Sequence, residues 1–149
     1  MTKKILILLL LTSCLPYKKS VVETNNIPQI IFLTYSITKN NSGDIQTKLI
    51  NKTITEGKLK NHFEKTELKS GDLVCKQLNT KSQIIQETNI SNPLLKTIEY
   101  TTEIGMLTKK TLELDSITFT LRMFLEPNAK FIIIEEINHS NQILSKDTL

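Results

Sequence analysis

From Pro28 to Leu149 the chain alternates between short runs rich in β-branched and apolar residues and clusters of polar turn residues. Asn, Gly, Ser or Pro separates these runs about every ten residues, a spacing typical of a sandwich or barrel. Within the runs the apolar period is two rather than about 3.6, which favours strands over helices. The pattern predicts an all-β domain over residues 28–149: a single antiparallel β-sandwich of about seven or eight strands, Ig-like or transthyretin-like in style, with a small β-barrel as the alternative.

The most regular alternation is in ITFTLRMFLE, residues 117–126, where apolar side chains occupy every second position. This predicts a strand with one buried face. Glu126-Pro127-Asn128-Ala129 supplies turn residues, and KFIIIEEIN then resumes in extended form, so the pattern predicts a hairpin between these two segments. Three consecutive isoleucines at 132–134 put apolar groups on both faces, which predicts that the second strand lies inside its sheet.

A second hairpin is predicted near the start of the domain. QIIFLTYSIT places Ile31, Leu33, Tyr35 and Ile37 on one face, and the turn residues 40–44 lead into IQTKLINKTIT. Another pairing is predicted across Gly105, between LLKTIEYTTEI, whose shared face is Leu94, Ile98, Tyr100 and Ile104, and LTKKTLELD. Shorter strands are expected at 72–78 and 82–90, with a last short strand after Ile137.

One segment departs from the alternation. Residues 56–70 contain Leu59 and Phe63 four positions apart among charged residues, a spacing compatible with one short helix. We predict a loop here, with a short helix as the alternative.

The N-terminal segment has a different character. Lys3 and Lys4 precede seven aliphatic residues, Ile5 to Leu11, the charged-then-apolar order of a secretory signal peptide. Seven residues cover only about 10 Å of a hydrocarbon core of about 30 Å, so they do not predict a transmembrane helix. Leu11-Thr12-Ser13-Cys14 follows, an aliphatic residue and two small residues before a cysteine.

This tetrapeptide resembles the lipobox of bacterial lipoproteins, and the chain is similar to those of Bacteroidota type. The resemblance implies that residues 1–13 are a cleaved signal peptide, that Cys14 carries the lipid, and that residues 14–27 form a tether. It implies a membrane partner through the lipid anchor, because several acyl chains together hold firmly. An ordinary signal peptide with an incidental cysteine, or a buried N-terminal strand, are the other interpretations.

The residues after Cys14 bear on the compartment. Leu15-Pro16-Tyr17-Lys18-Lys19 lacks both the acidic cluster that resembles a surface-export signal and the aspartate after cysteine that resembles an inner-membrane retention signal. The expected location is therefore the cell envelope, at the outer membrane and facing the periplasm.

Composition changes little once the signal is removed. The remaining 136 residues carry 17 basic and 15 acidic side chains, enough chain for one domain with a single core. Arg122 is the one arginine, tryptophan is absent and the lysines are dispersed, so a nucleic-acid partner is not predicted. With Cys14 lipidated, Cys75 has no disulfide partner, and its alternation with Leu73 and Gln77 predicts a buried strand residue rather than a reactive thiol.

Candidate chemistry is sparse. The two histidines, His62 and His139, lack the paired spacing of a zinc site. The adjacent carboxylates Glu135 and Glu136 lie on a predicted strand and point to opposite faces. The aspartates Asp44 and Asp72 follow glycines in predicted turns. No serine elbow, phosphate-binding glycine loop or dinucleotide fingerprint occurs. The sequence predicts no catalytic residue, no cofactor and no metal site, and hence a protein that is not an enzyme.

Two tripeptides resemble the O-glycosylation signal of Bacteroidota-type secreted proteins, Asp-Ser/Thr-aliphatic. They are Asp115-Ser116-Ile117 and Asp147-Thr148-Leu149, which would make Ser116 and Thr148 the modified residues. The simpler interpretation is a turn aspartate entering a strand at 115 and a frayed terminus at 147.

These features lead to three functional hypotheses. The first is a lipid-anchored, non-catalytic β-sandwich that binds another envelope protein, for example by strand addition at an exposed edge. The second is a small barrel or sandwich whose interior holds an apolar ligand. The third is an envelope hydrolase or an inhibitor of one.

Overall fold

The computed structural model describes residues 27–60, 67–138 and 141–149. Within these ranges all regular secondary structure is β-strand, and no helix is long and apolar enough to cross a bilayer. The strands, numbered in chain order, are β1 Gln29–Lys39, β2 Ile45–Glu56, β3 Leu73–Leu78, β4 Ile84–Ile90, β5 Leu95–Thr101, β6 Leu107–Glu113, β7 Ser116–Leu125, β8 Phe131–Glu136 and β9 Gln142–Thr148.

The strands form three antiparallel sheets with the orders β2-β1-β7, β4-β3-β8-β9 and β5-β6. The two larger sheets face each other, so the predicted β-sandwich is confirmed, and β9 supplies a ninth strand. None of the sheets closes on itself within the described ranges, so the alternative of a small barrel is wrong. Along one side β2 lies beside β9, and there the Lys52 ammonium of β2 donates to the Thr148 carbonyl of β9 at 2.9 Å.

The core is the space between the two larger sheets. The predicted inner face of β1, residues Ile31, Leu33, Tyr35 and Ile37, is fully buried, and the facing sheet contributes residues such as Ile132 and Ile134. The Tyr35 ring stacks on Phe119 of β7 with 6.0 Å between centroids. Side chains thus fill the region between the sheets, and each buried large aliphatic residue contributes about 1.5–3 kcal/mol to stability.

Local turn chemistry explains the β1–β2 hairpin, which is confirmed. The Asn40 carboxamide oxygen accepts hydrogen bonds from the amides of Ser42 and Asp44, both at 2.9 Å. Gly43 takes a φ of +90°, a conformation that costs glycine little because it has no Cβ. Asp44 therefore has the turn role predicted for it.

The predicted hairpin between residues 117–126 and 130–138 is wrong. β7 pairs with β1, whereas β8 lies between β3 and β9. The turn forms, with the Ala129 amide 2.9 Å from the Glu126 carbonyl, but it carries the chain from one sheet to the other. Turn residues specify a reversal of direction without specifying the hydrogen-bond partner of the next strand.

Gln77 bridges the two sheets at this crossing. Its side chain, fully buried on the inner face of β3, accepts from the Glu126 amide at 3.0 Å and donates to the Phe124 carbonyl at 2.6 Å. The carboxamide thus occupies a backbone carbonyl and a backbone amide at the end of β7 that a neighbouring strand would otherwise use.

The remaining strand predictions are confirmed. β3 and β4 pair, β5 and β6 pair across Gly105, and the three isoleucines of β8 are all buried in an interior strand. Residues 57–60 and 67–69 have no regular structure, consistent with the loop prediction. Residues 61–66, which include His62, lie outside the described residues, as does His139.

Cys75 is buried between the sheets, as predicted. It is 1% exposed, and its thiol lies 3.9 Å from the Met123 sulfur. Burial, reinforced by the charge of Asp147, raises the pKa of the thiol to about 12. A thiol of this kind is unreactive at neutral pH, because the thiolate is the nucleophile.

Replacing Gln77 with leucine is expected to destabilise the domain by about 2–3 kcal/mol, because the Phe124 carbonyl and the Glu126 amide lose their buried partner. Urea unfolding measures the difference. Gln46→Leu, at an exposed position of β2, is the matched control and is expected to shift the free energy of unfolding by less than about 0.5 kcal/mol. Equal stabilities of the two variants would refute the bridging role.

Cys75 is also expected to make the domain sensitive to alkali. Unfolded thiol ionises near its ordinary pKa of 9.0, whereas the folded thiol stays protonated up to about 12. Its stabilising contribution is therefore complete below pH about 9 and decreases by about 1.4 kcal/mol per pH unit between the two values. Unfolding midpoints of the wild type and Cys75→Ala, measured from pH 7 to 11, are expected to converge as pH rises. Parallel curves would contradict this assignment.

Candidate protein-binding site

The residues predicted as modification sites lie apart. Cys14 is outside the described residues. Ser116 is the exposed first residue of β7, and Thr148 is the exposed last residue of β9, in the other large sheet. The preceding aspartates have structural contacts: the Asp115 carbonyl accepts from the Lys39 amide at 2.8 Å, and the Asp147 carboxylate accepts from the Tyr35 hydroxyl at 2.9 Å. O-glycosylation therefore stays a prediction.

The adjacent glutamates of β8 have separate partners. Glu135 forms an ion pair with Lys76 of β3, and Glu136 accepts a hydrogen bond from the Asn138 carboxamide at 3.1 Å. Among residues 27–60, 67–138 and 141–149, no three His, Cys, Asp or Glu side chains come together in a way that would hold a metal ion. The structure thus assembles no acid–base pair from these two residues.

The sequence predicts a turn role for Asp72, and in the structure its side chain also connects two elements. Asp72 is 8% exposed, and its carboxylate accepts hydrogen bonds from the amides of Lys69 and Asn92, both at 2.8 Å. Asn92 in turn accepts from the Leu94 amide at 2.9 Å. This chain of bonds connects the end of the β4–β3–β8–β9 sheet to the base of the β5–β6 hairpin.

The base of this hairpin is also joined to β1. The Leu114 amide donates to the Leu94 carbonyl at 2.8 Å, and Leu94 is buried against the core. Lys39, the last residue of β1, forms an ion pair with Glu113. Through this contact Glu113 raises the pKa of Lys39 and Lys39 lowers the pKa of Glu113. The hairpin is thereby held at the end of the sandwich where β1 terminates.

Beyond its base the hairpin is an independent two-stranded sheet. Glu99 and Lys109 form an ion pair at 3.0 Å across it, and the turn is closed by a hydrogen bond of 2.9 Å from the Gly105 amide to the Thr102 carbonyl. Neither strand pairs with the sandwich in the described part of the chain. Two-stranded sheets alone are marginally stable, so packing and bonding at the base support this one.

The end of the hairpin is apolar and exposed, contrary to the usual polarity of a turn. Ile104, Met106 and Leu107 are 81%, 62% and 68% exposed, and Tyr100 nearby is 46% exposed. We call these four residues the hairpin tip. Strand pairing places Tyr100 and Leu107 on opposite faces of the hairpin, with Ile104 and Met106 in the turn between them, so the apolar groups surround its end. Exposed apolar residues grouped on a folded domain mark interaction sites.

The predicted apolar face of residues 94–104 is therefore only partly correct. Leu94 is buried and Ile98 is half-buried, whereas Tyr100 and Ile104 face solvent. The reason is that no second sheet covers β5 and β6 along their length. Apolar residues on both sides of Gly105, where polar turn residues are usual, were the sequence signal for the tip.

No protein-family model, curated protein or solved structure matches this chain. A functional proposal therefore depends on the geometry and chemistry described above.

Proposed function

We propose that this protein is a lipid-anchored component of the cell envelope whose non-catalytic β-sandwich binds another envelope protein through the hairpin tip. The observation that carries the proposal is the exposure of four large apolar side chains at the end of a hairpin that belongs to neither sandwich sheet. Of the three hypotheses drawn from the sequence, this feature favours the first.

The position of the hairpin supports a partner away from the anchor. The chain enters the domain at Ile27, two residues before β1, and the hairpin base contacts Lys39 at the other end of that strand. Eleven residues of strand span about 35 Å. A lipid on Cys14 would therefore reach the domain at one end, and the hairpin extends from the opposite end.

The charges of the hairpin favour a protein over a second membrane contact. Three lysines and three glutamates lie between residues 95 and 113, namely Lys96, Lys109 and Lys110, and Glu99, Glu103 and Glu113. A loop that enters an anionic membrane surface is normally basic. An apolar patch surrounded by balanced charges is instead typical of a protein interface, with an apolar centre and a polar rim.

The apolar-ligand hypothesis has less support. A cleft of about 570 Å³ lies between Ile27, Pro28 and Gln29 and the segment Phe124–Pro127, but it is open to solvent at one end of the sandwich. The hypothesis requires an interior site, and the region between the sheets is occupied by packed side chains.

The anchor is tested by the intact mass of the membrane-extracted protein beside Cys14→Ala. The wild type is expected to begin at Cys14, to carry acyl mass and to fractionate with membranes, whereas the variant is expected to lack acyl mass. Cys75→Ala is the control, since a buried thiol takes no part in processing. A wild type that retains residues 1–13 without lipid would refute the anchored assignment.

Protein binding is tested by photo-crosslinking in cells, with a crosslinking amino acid in place of Met106 of the full chain. A specific adduct is expected, and Ile104→Glu with Leu107→Glu is expected to reduce its yield by about tenfold or more, because two charges would be buried in the interface. Both positions are exposed, so the unfolding midpoint is expected to stay unchanged.

The matched controls use the β3–β4 turn. A crosslinker in place of Lys81 is expected to give no adduct, and Thr80→Glu with Lys81→Glu is expected to leave the Met106 adduct intact, since both residues are exposed and distant from the tip. An adduct unaffected by the tip charges, or formed with lipid alone, would contradict protein binding at this site.

A further inference from the structure

The outer face of the β2–β1–β7 sheet is rich in hydroxyl-bearing side chains. Strand pairing places fifteen side chains on it in five rows of three, with β1 in the middle. The rows are Gln46-Thr38-Ser116, Lys48-Ser36-Thr118, Asn51-Thr34-Thr120, Thr53-Phe32-Arg122 and Thr55-Ile30-Phe124. We call these residues the hydroxyl face, because eight of the fifteen are serine or threonine.

The hydroxyl face offers many unused hydrogen-bonding groups. Thr34 and Thr120 bond to each other at 2.9 Å, which confirms that side chains of adjacent strands share this surface. Ser36, Thr38 and Thr118 make no side-chain hydrogen bond within the described ranges, so their hydroxyls remain able to donate to and accept from a ligand.

The charges on this face are all positive. Lys48 and Arg122 are exposed and form no ion pair with any described residue, and none of the fifteen positions is acidic. The outer face of the other large sheet differs: there Lys76 is neutralised by Glu135 and Glu87. Of the outer faces of the two larger sheets, in the described part of the chain, the hydroxyl face is the one that carries cations and no carboxylate.

The two cations are separated by the length of a short oligomer. Lys48 lies beside Ser36 and Arg122 beside Phe32, on opposite sides of β1. Ideal strand spacing puts them about 16 Å apart along a diagonal of the sheet. The half-buried Phe32 ring lies on this surface next to Arg122, and hydroxyl groups occupy the rows between.

We propose that the hydroxyl face binds an acidic oligosaccharide, lying diagonally across the three strands. Sugar hydroxyls exchange hydrogen bonds with serine, threonine and amide side chains, and the apolar face of a sugar ring packs on the Phe32 ring. Carboxylate or sulfate groups of the glycan pair with Lys48 and Arg122, which are able to form charge-assisted hydrogen bonds. This inference is independent of the hairpin tip, which belongs to a different sheet.

Other polymers fit this surface less well. A protein partner normally requires an apolar centre, whereas the central row here is Asn51, Thr34 and Thr120. Single-stranded nucleic acid requires aromatic platforms for successive bases, whereas the two rings on this face, Phe32 and Phe124, are both half-buried. An acidic glycan uses all three properties of the face: hydroxyls, cations and an aromatic surface beside Arg122.

The test is calorimetric titration of the full-length, detergent-solubilised protein with hexagalacturonate. Binding is expected, with an affinity that decreases as salt increases. Lys48→Gln with Arg122→Gln is expected to weaken it by about tenfold or more, since two charge-assisted contacts are removed. Phe32→Leu, which keeps an apolar side chain at that position, is expected to weaken it by a smaller factor.

Controls separate this proposal from the previous one. Lys81→Gln with Lys130→Gln removes two exposed lysines elsewhere and is expected to leave binding unchanged, as is Ile104→Glu with Leu107→Glu. Absence of binding to hexagalacturonate, equal binding of uncharged cellohexaose, or equal binding of a hexathymidylate oligonucleotide would each overturn the proposal. Absence of any Met106 adduct when the tip is otherwise unchanged, with glycan binding retained, would overturn only protein binding at the tip.

Discussion

The buried carboxamide of Gln77 is the contact on which the arrangement of the two sheets depends. It lies between apolar inner faces and satisfies both an acceptor and a donor at the end of β7. An unpaired buried amide or carbonyl would cost about 1–3 kcal/mol, so the sheets cannot shift against each other without that penalty. Apolar packing supplies most of the stability, but it is not directional. This polar contact is directional and therefore favours one position of the two sheets relative to each other.

The two proposed binding surfaces are separate from the core. The hairpin tip is attached through Asp72, Asn92 and Lys39 at one end of the sandwich, and the hydroxyl face consists of side chains that point away from the inner residues of the same strands. The charged residues of the hydroxyl face, Lys48 and Arg122, and the tip residues Ile104 and Leu107 are all exposed. The sandwich therefore acts as a rigid support, which is common for binding domains whose specificity resides in loops and faces.

Much of the fold was predictable because burial on one side of a strand imposes alternation. The buried set Ile31, Leu33, Tyr35 and Ile37 could be identified from this period alone, and the β1–β2 hairpin from the turn residues between Asn40 and Asp44. The β7–β8 connection could not, because the partners of both strands are distant in sequence, and the Gln77 side chain that bonds the end of β7 lies about fifty residues earlier in the chain. Local propensity contains no information on such a partner.

The binding surfaces were less accessible to prediction than the core. The apolar residues around Gly105 were visible in the sequence, but their exposure follows from the lack of a covering sheet. The threonines of the hydroxyl face were visible too, as the polar positions of three alternating segments. Their grouping depends on β7 joining β1, and the sequence indicated a different partner for β7.

The pairing of β1 with β7 also has a consequence for how the chain acquires its structure. Thr34 and Thr120, which bond across these strands, are 86 residues apart in sequence. Contacts between such distant segments require closure of a large loop and make folding slow. If the chain is exported as its N-terminus indicates, β1 emerges long before β7, and its open edge is free to pair with other extended chains in the meantime. A holdase chaperone in the receiving compartment would then benefit this protein more than it would benefit a protein built from local hairpins.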